Sequence, residues 1–284
     1  MAETFKLLTY NIHRGLSAVK KRDILKQILM ILELSGADIV CLQEVWQDVG
    51  LNEHQLEALC EAGWRHRLYG ANAIFPGGAT GNAILSRFEV NQWNHVDISV
   101  SGHESRGFLH VELIAGSGVP LNVICAHFGL RNSERRMQSL WLQQFIAKRI
   151  GPDLPLVLAG DFNDWRGRPE SIIAAEHQFH EAMTETVGRF GKTFPSFFPV
   201  LPLDRIYYRN LDLQEAQIIR RLEPAASLSD HLPVEAVFAL GQGVQVGGEN
   251  EHGEAKGGGA EATTSGATSR DGTKPSAPPP RDRR

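Results

Sequence analysis

Cysteine is scarce in this chain: Cys41, Cys60 and Cys125 are the only three among 284 residues. An odd number, with no two close in sequence, excludes a disulfide scaffold and a cysteine-ligated metal cluster. Two of them sit inside apolar runs, which predicts reduced, buried thiols in a cytoplasmic protein. Long hydrophobic runs are also missing. No stretch approaches the ~20 apolar residues that a membrane span needs. The opening "MAETFKLLTYN" lacks the charged-then-apolar order of a secretory signal. Nor is there an excess of basic residues. The formal net charge is −4, and residues 241–284 hold six acidic and six basic side chains, so the excess of acids falls in residues 1–240. That speaks against the broad basic face with which proteins hold long nucleic acid, although a local patch remains open. No tandem repeat at solenoid spacing is present.

What is present divides at about residue 240. Residues 241–284 hold ten of the 28 glycines and almost no large apolar residue. Such a segment buries too little surface to offset the entropy of ordering, so it is predicted to be a disordered Gly/Pro-rich tail behind a domain spanning 1–240. Within 1–240, "FKLLTYN", "ADIVCLQE", "GFLHVELI", "PLNVICAHF", "PLVLAGDFN" and "DRIYYR" are short, branched or aromatic, and bounded by turn residues, as strands are. Residues 20–34 and 133–150 have helical period. In the second, Met137, Leu140, Trp141 and Phe145 form an apolar stripe read as core, with Asn132 or Ser133 as the cap. The alternation indicates α/β layering but does not distinguish a doubly wound parallel sheet from a sandwich of two sheets.

The apolar runs share one habit. "KLLTY" delivers Asn11, "DIVCLQ" delivers Glu44, "LNVICA" delivers His127, and "LVLAG" delivers Asp161 and Asn163. Later, "PLDRIYY" offers Asp204, and "SLSDHLP" offers Asp230 and His231. One polar strand end is a turn. Six, drawn only from Asn, Asp, Glu and His, predict strand ends converging on a single polar site. Several carboxylates with amide and imidazole groups favour a hard divalent cation and phosphoester hydrolysis.

Taken in order, "TYNIHRG", "LQEV", "GNAILSR", "SRGFLHVEL", "AHFGL", "AGDFND", "LDRIYY" and "SDHLPV" resemble the endonuclease/exonuclease/phosphatase (DNase I-like) superfamily over residues 4–240. The resemblance implies an α/β fold, a four-layer α/β/β/α sandwich of two packed mixed sheets flanked by helices. It implies a Mg²⁺- or Mn²⁺-dependent phosphohydrolase, with metal ligands Glu44, Asn11 and Asp230. Asp161 would orient or deprotonate the attacking water. Asn163 and His127 would contact phosphate oxygens, His231 would stand near phosphorus with Asp204 bonded to it, and Arg106 would reach the same pocket. Abasic-site endonucleases carry Asp where this chain has His13, and a Tyr-Ser-Gly-type segment where it reads "TGNAILSR". The resemblance therefore leans to the phosphatase, deadenylase and sphingomyelinase side and to small bacterial members.

The expected substrate is a small or lipid-linked phosphodiester. The alternative is a nucleic-acid endonuclease or exonuclease, with a catalytically silent binding module third, since every matched position is filled. Peripheral contact with lipid is open, and no transmembrane segment is expected. "GKT" at 191–193 is rejected as a P-loop because Thr186 stands where the motif needs glycine. His177 and His180 read as surface residues, Arg131, Arg135 and Arg136 as a solvated helix start, and Asp164 and Trp165 as turn and packing residues. In "TFPSFFPVLPL" (193–203) the prolines predict a rim loop whose rings either plug the gap between layers or face the substrate.

Overall fold

The computed structural model describes residues 3–17, 23–48, 63–116, 118, 120–165, 178–220 and 228–240. Cys60, His177 and the tail expected to be disordered lie outside them. The chain forms β1 (Thr4–Asn11), a 3-10 turn (His13–Gly15), α1 (Leu25–Ser35), β2 (Ile39–Asp48), β3 (His66–Phe75), β4 (Gly78–Ser86), β5 (Glu89–Asp97), β6 (Gly107–Ile114) and β7 (Pro120–His127). Then follow α2 (Asn132–Arg149), β8 (Leu156–Asp161), β9 (His180–Glu181), α3 (Ala182–Val187), β10 (Asp204–Arg209), β11 (Asp212–Ile218) and β12 (Val234–Ala239).

Two six-stranded mixed sheets result, in the orders β11-β12-β1-β2-β4-β3 and β5-β6-β7-β8-β10-β9. Their period-2 faces explain the packing. In β1, Phe5 and Leu7 join Ile39, Cys41, Leu109, Val111, Val123 and Val157 between the sheets. Leu8 and Tyr10, on the opposite face, pack with Ile28, Ile31 and Leu32 of α1. Ile124, Leu156 and Leu158, on the outer face of the second sheet, pack with Leu142 and Ile146 of α2. Both faces of the central strands are covered, which is why they read as continuous apolar runs. The result is the four-layer α/β/β/α sandwich. No helix among the described residues is long and apolar enough to cross a membrane.

The helices follow their local signals in part. Asp23 Oδ1 accepts from the Leu25 N–H at 2.9 Å at the start of α1, and Gly36 ends it with φ 64°. Helix α2 departs from the expected stripe. Met137 and Leu140 are exposed, while Glu134, Arg135, Gln138 and Gln143 are buried. Those polar side chains hold the preceding loops: Gln138 accepts from the Gly129 N–H at 2.9 Å and donates to the Ile98 carbonyl at 3.2 Å. The cap is Arg131, not Asn132 or Ser133, and its N–H donates to Glu134 Oε2 at 3.4 Å. Cys41 and Cys125 are buried free thiols, as expected.

Candidate active site

Sheet register lines up one row of functional groups. Gly107 pairs with His127, His127 with Asp161, and Asp161 with Asp204. The C-terminal ends of parallel β7 and β8 thus lie beside the N-terminal start of antiparallel β10, and Arg106 immediately precedes the first partner. In the facing sheet, Asn11 ends β1 opposite Gln43 of β2. Pairing of β2 with β4 then slips between Leu42 and Val45, and Glu44 takes φ 56°. An extra residue at such a bulge re-aims a side chain. Val45 returns to the same outer cluster as Val40 and Leu42, so Glu44 is freed from the strand's alternation.

Asp161 is the centre. Asn11 Nδ2 donates to its Oδ2 at 3.1 Å, and His127 Nε2 and His231 Nε2 lie 3.6 Å and 3.7 Å from the same oxygen. The Asn163 N–H donates to Oδ1 at 2.9 Å from a residue with φ 50°. The strand before it is specific as well: Gly160 has φ 147°, and a Cβ there would overlap the Ala126 carbonyl of β7. Only glycine allows β7 and β8 to approach with that backbone. Glu44 Oε1 lies 3.5 Å from Asn11 Nδ2.

The electrostatics follow from burial. Burial pushes the Asp161 carboxyl up to about 6; the nearby Asp204 adds to that, while His231 and the Asn11 and Asn163 bonds oppose it. Burial alone would lower His231, but Asp204, Asp161 and Asp230 together raise it to about 10. Its Nδ1 stands 2.8 Å from Asp204 Oδ2. His127 is driven well below the ordinary histidine value by burial, then by Arg106 and by charged His231. At neutral pH one imidazole is thus a cation and the other neutral.

All nine residues singled out from the sequence gather here. Seven of them line a cleft of about 500 Å³, and the other two, Asp204 and Asn11, bond to His231 and Asp161 in its wall. Arg106 is in the cleft, yet its guanidinium is engaged by Glu104 Oε2 at 2.5 Å and the Phe128 carbonyl at 3.2 Å. Asn163 Nδ2 likewise donates to the Phe128 carbonyl at 2.9 Å. Thr193, in the rejected "GKT", went unnoticed: its hydroxyl donates to Asp204 Oδ2 and accepts from the Asp204 N–H at 3.2 Å. Ser229 was also missed; it donates to the Asn11 carbonyl at 2.6 Å and accepts from the His231 N–H at 3.2 Å. Neither has a local signal beyond closeness to a motif. Trp165 is half-exposed at the wall of the cleft. Arg135 is buried against the Gly129 and Leu130 carbonyls, not solvated. Asp164 meets the buried Arg205. His180 pairs with Glu185 at 3.0 Å. In the 193–203 loop, Phe194 packs on His231 with ring centroids 5.0 Å apart, whereas Phe197 and Phe198 are 73% and 69% exposed.

Ligand atoms of Asp161, Asp204 and His231 all lie within 4.8 Å of one another, a grouping able to hold a metal ion. Geometry gives two of these atoms other partners: His231 Nδ1 stands 2.8 Å from Asp204 Oδ2, which also accepts from the Thr193 hydroxyl. The oxygens of Glu44 and Asp230 in the same cleft, with Asn11 behind Asp161, form a hard donor set for a divalent cation. The raised Asp161 carboxyl fits as well, because a nearby cation would offset the cost that burial places on its charge.

The sequence model of the Endonuclease/Exonuclease/phosphatase family matches residues 8–231. The protein YbhP of Escherichia coli is 36% identical over 251 residues, covering 84% of this chain and 97% of its own. An endonuclease/exonuclease/phosphatase from Beutenbergia cavernae superposes with a TM-score of 0.71 at 20% identity, covering 84% of this chain and 72% of that one. The catalytic domain of human Nocturnin does so with 0.66 at 20% identity, over 83% and 93%. At such identities the two structures share the fold.

Proposed function

The chain belongs to the endonuclease/exonuclease/phosphatase family, and from that premise we propose that it is a Mg²⁺- or Mn²⁺-dependent phosphoester hydrolase acting by direct attack of water. The observation that carries this reading is the Asp161 carboxylate, held by Asn11 and Asn163 between a neutral and a charged imidazole at the wall of an open cleft.

Glu44, Asn11 and Asp230 would hold the cation. When bound, it supplies positive charge for a phosphate oxygen and for the departing oxygen. Asp161 aligns the attacking water and accepts its proton, a role suited to a carboxyl raised to about 6. His231 donates from Nε2 to a phosphate oxygen as charge builds there, and Asp204 keeps it protonated through Nδ1. Thr193 keeps Asp204 in place. Neutral His127 and Asn163 contact the remaining oxygens. No covalent intermediate is needed. Residues 1–240 form the hydrolase domain, 241–284 follow it as a Gly/Pro-rich tail, and the protein is cytoplasmic.

The substrate reading is a small or lipid-linked phosphodiester. The overall charge of −4 supports it over long duplex DNA, whose capture depends on phosphate neutralisation. Exposed Phe197 and Phe198 keep a second reading in view, cleavage of single-stranded nucleic acid with bases stacked on those rings. The test is a hydrolysis screen of the purified chain over soluble diesters, phospholipids, inositol phosphates and nucleic acids. Turnover should vanish on chelation, return with Mg²⁺ or Mn²⁺, and survive thiol blocking. Full activity in metal-free buffer would overturn the reading.

A further inference from the structure

A second cleft, of about 460 Å³, adjoins the first. Glu44, Glu104, Arg106 and His127 line both, whereas Asp161, Asp230 and His231 line only the first. The remaining wall of the second cleft includes Arg14, Asn72, Phe75 and His103. Arg14 lies in a left-handed run, with φ of 46°, 60° and 69° at His13, Arg14 and Gly15. Its guanidinium sits 5.1 Å above the centre of the Phe75 ring. Asn72 falls where the pairing of β3 with β4 slips between Ala71 and Ala73, and its Oδ1 lies 3.1 Å from His95 Nε2. Two independent backbone irregularities therefore deliver polar side chains to one cleft with an aromatic wall.

We infer that this second cleft binds the leaving arm of a phosphodiester. The inference rests on the hydrolase reading above. Displacement at phosphorus is in line, so the departing oxygen lies opposite the attacking water. Asp161, which would align the water, borders only the first cleft, and the lining shared by the two clefts, Glu44, Glu104, Arg106 and His127, leads away from it to the Arg14–Phe75 wall. The water oxygen bonds to phosphorus and its proton passes to Asp161. The bond from phosphorus to the arm breaks with its electron pair, and the arm's oxygen takes a proton from solvent. The wall selects an arm with a flat or apolar body for Phe75 and acceptor oxygens for Arg14, Asn72 and His103. The substrate class is thus a diester with a substantial second substituent, not a monoester of a small alcohol.

The probes are bis(4-nitrophenyl) phosphate and methyl 4-nitrophenyl phosphate, each with an aryl leaving arm, with inorganic phosphate as competitive inhibitor and Mn²⁺ present. Arg14→Ala and Phe75→Ala should each raise KM for both diesters by about tenfold, with kcat changed by less than about threefold and the phosphate inhibition constant within about twofold. A KM change below about twofold in both variants overturns the proposal. So does a parallel shift of the phosphate constant, which would put Arg14 at the phosphate seat itself. A loss confined to the bis-aryl ester would place the retained arm in this cleft and overturn the leaving-arm assignment. Absence of turnover by the wild type on every diester with either cation would instead sink the hydrolase reading. Melting temperatures of both variants separate these outcomes from misfolding.

Discussion

Replacing Asp204 by Asn tests the charge arrangement at its centre. The change keeps the shape of a side chain that is almost wholly buried and removes its charge. His231 stands at about 10 against an ordinary 6.5, a coupling of about 5 kcal/mol. Asp161 and Asp230 remain in the variant, so part of it survives. A fall of two units or more is expected, about 3 kcal/mol. The sign follows from linkage. A histidine raised in the folded state stabilises it fully below pH 6.5, and that contribution fades as pH rises to about 10. The stability gap between wild type and variant should therefore be larger at pH 7 than at pH 9.5. The new amide also places a donor at or beside Oδ1, a buried atom with no hydrogen-bond partner among the described residues, which adds a pH-independent cost. Turnover at neutral pH should drop by about 10²–10³ as the charged donor is lost. Ring ¹⁵N shifts of His231, followed by NMR from pH 5 to 10.5 in metal-free protein, read the titration directly. Wild-type His231 titrating near 6.5, or a variant within half a unit of wild type, would refute the reasoning.

Other expectations follow from the same geometry. Because Asp161 must be ionised to accept a proton, kcat/KM should fall as pH drops through or below about 6, a bound cation moving that limb lower; Asp161→Asn should lose about 10²–10⁴ in rate and abolish the limb, and a variant that keeps it would exclude Asp161 as the base. Gly160→Ala should cost about 3–5 kcal/mol, since φ 147° and the Ala126 carbonyl leave no room for a Cβ. In a domain of this size that lowers the melting temperature by roughly 10 °C, and a change under about 3 °C would contradict the packing argument. Phe197→Ala combined with Phe198→Ala should shift melting by less than about 2 °C, because both rings are already exposed. If the loop faces a lipid-linked substrate, the double variant loses turnover on phospholipid vesicles but not on a soluble diester; equal loss on both would mean the rings serve stability or the site itself.

Much of the site was legible because polar strand ends interrupt apolar runs. A chain that buries Leu7, Leu8 and Tyr10 and then presents Asn11 announces both a strand and its exit into a site, and "LVLAGDFN" does the same for Asp161 and Asn163. Buried β12 and small-residue β4 were missed, whereas the six runs read as strands, those of β1, β2, β6, β7, β8 and β10, were all found because period and burial are local properties. Strands β5 and β11, "EVNQWNHVD" and "DLQEAQI", were not, because edge strands that face solvent carry no such alternation. Sandwich and doubly wound sheet share the same local periods; what separates them is the division into two sheets, each mixing parallel and antiparallel neighbours, as where β4 runs antiparallel to β2 and β10 to β8. The stripe on α2 misled for a related reason: polar Gln138 and Glu134 are buried to satisfy loop backbone groups that no periodicity reveals. Sequence alone thus determined which residue types end the strands and the chemistry open to them. Tertiary structure decided their states. The left-handed bulge aims Glu44, Thr193 reaches Asp204 across the rim loop, and three nearby carboxylates make His231 a cation against its burial, while burial keeps His127 neutral. Those are consequences of distance and desolvation, which exist only once the two sheets have closed on each other.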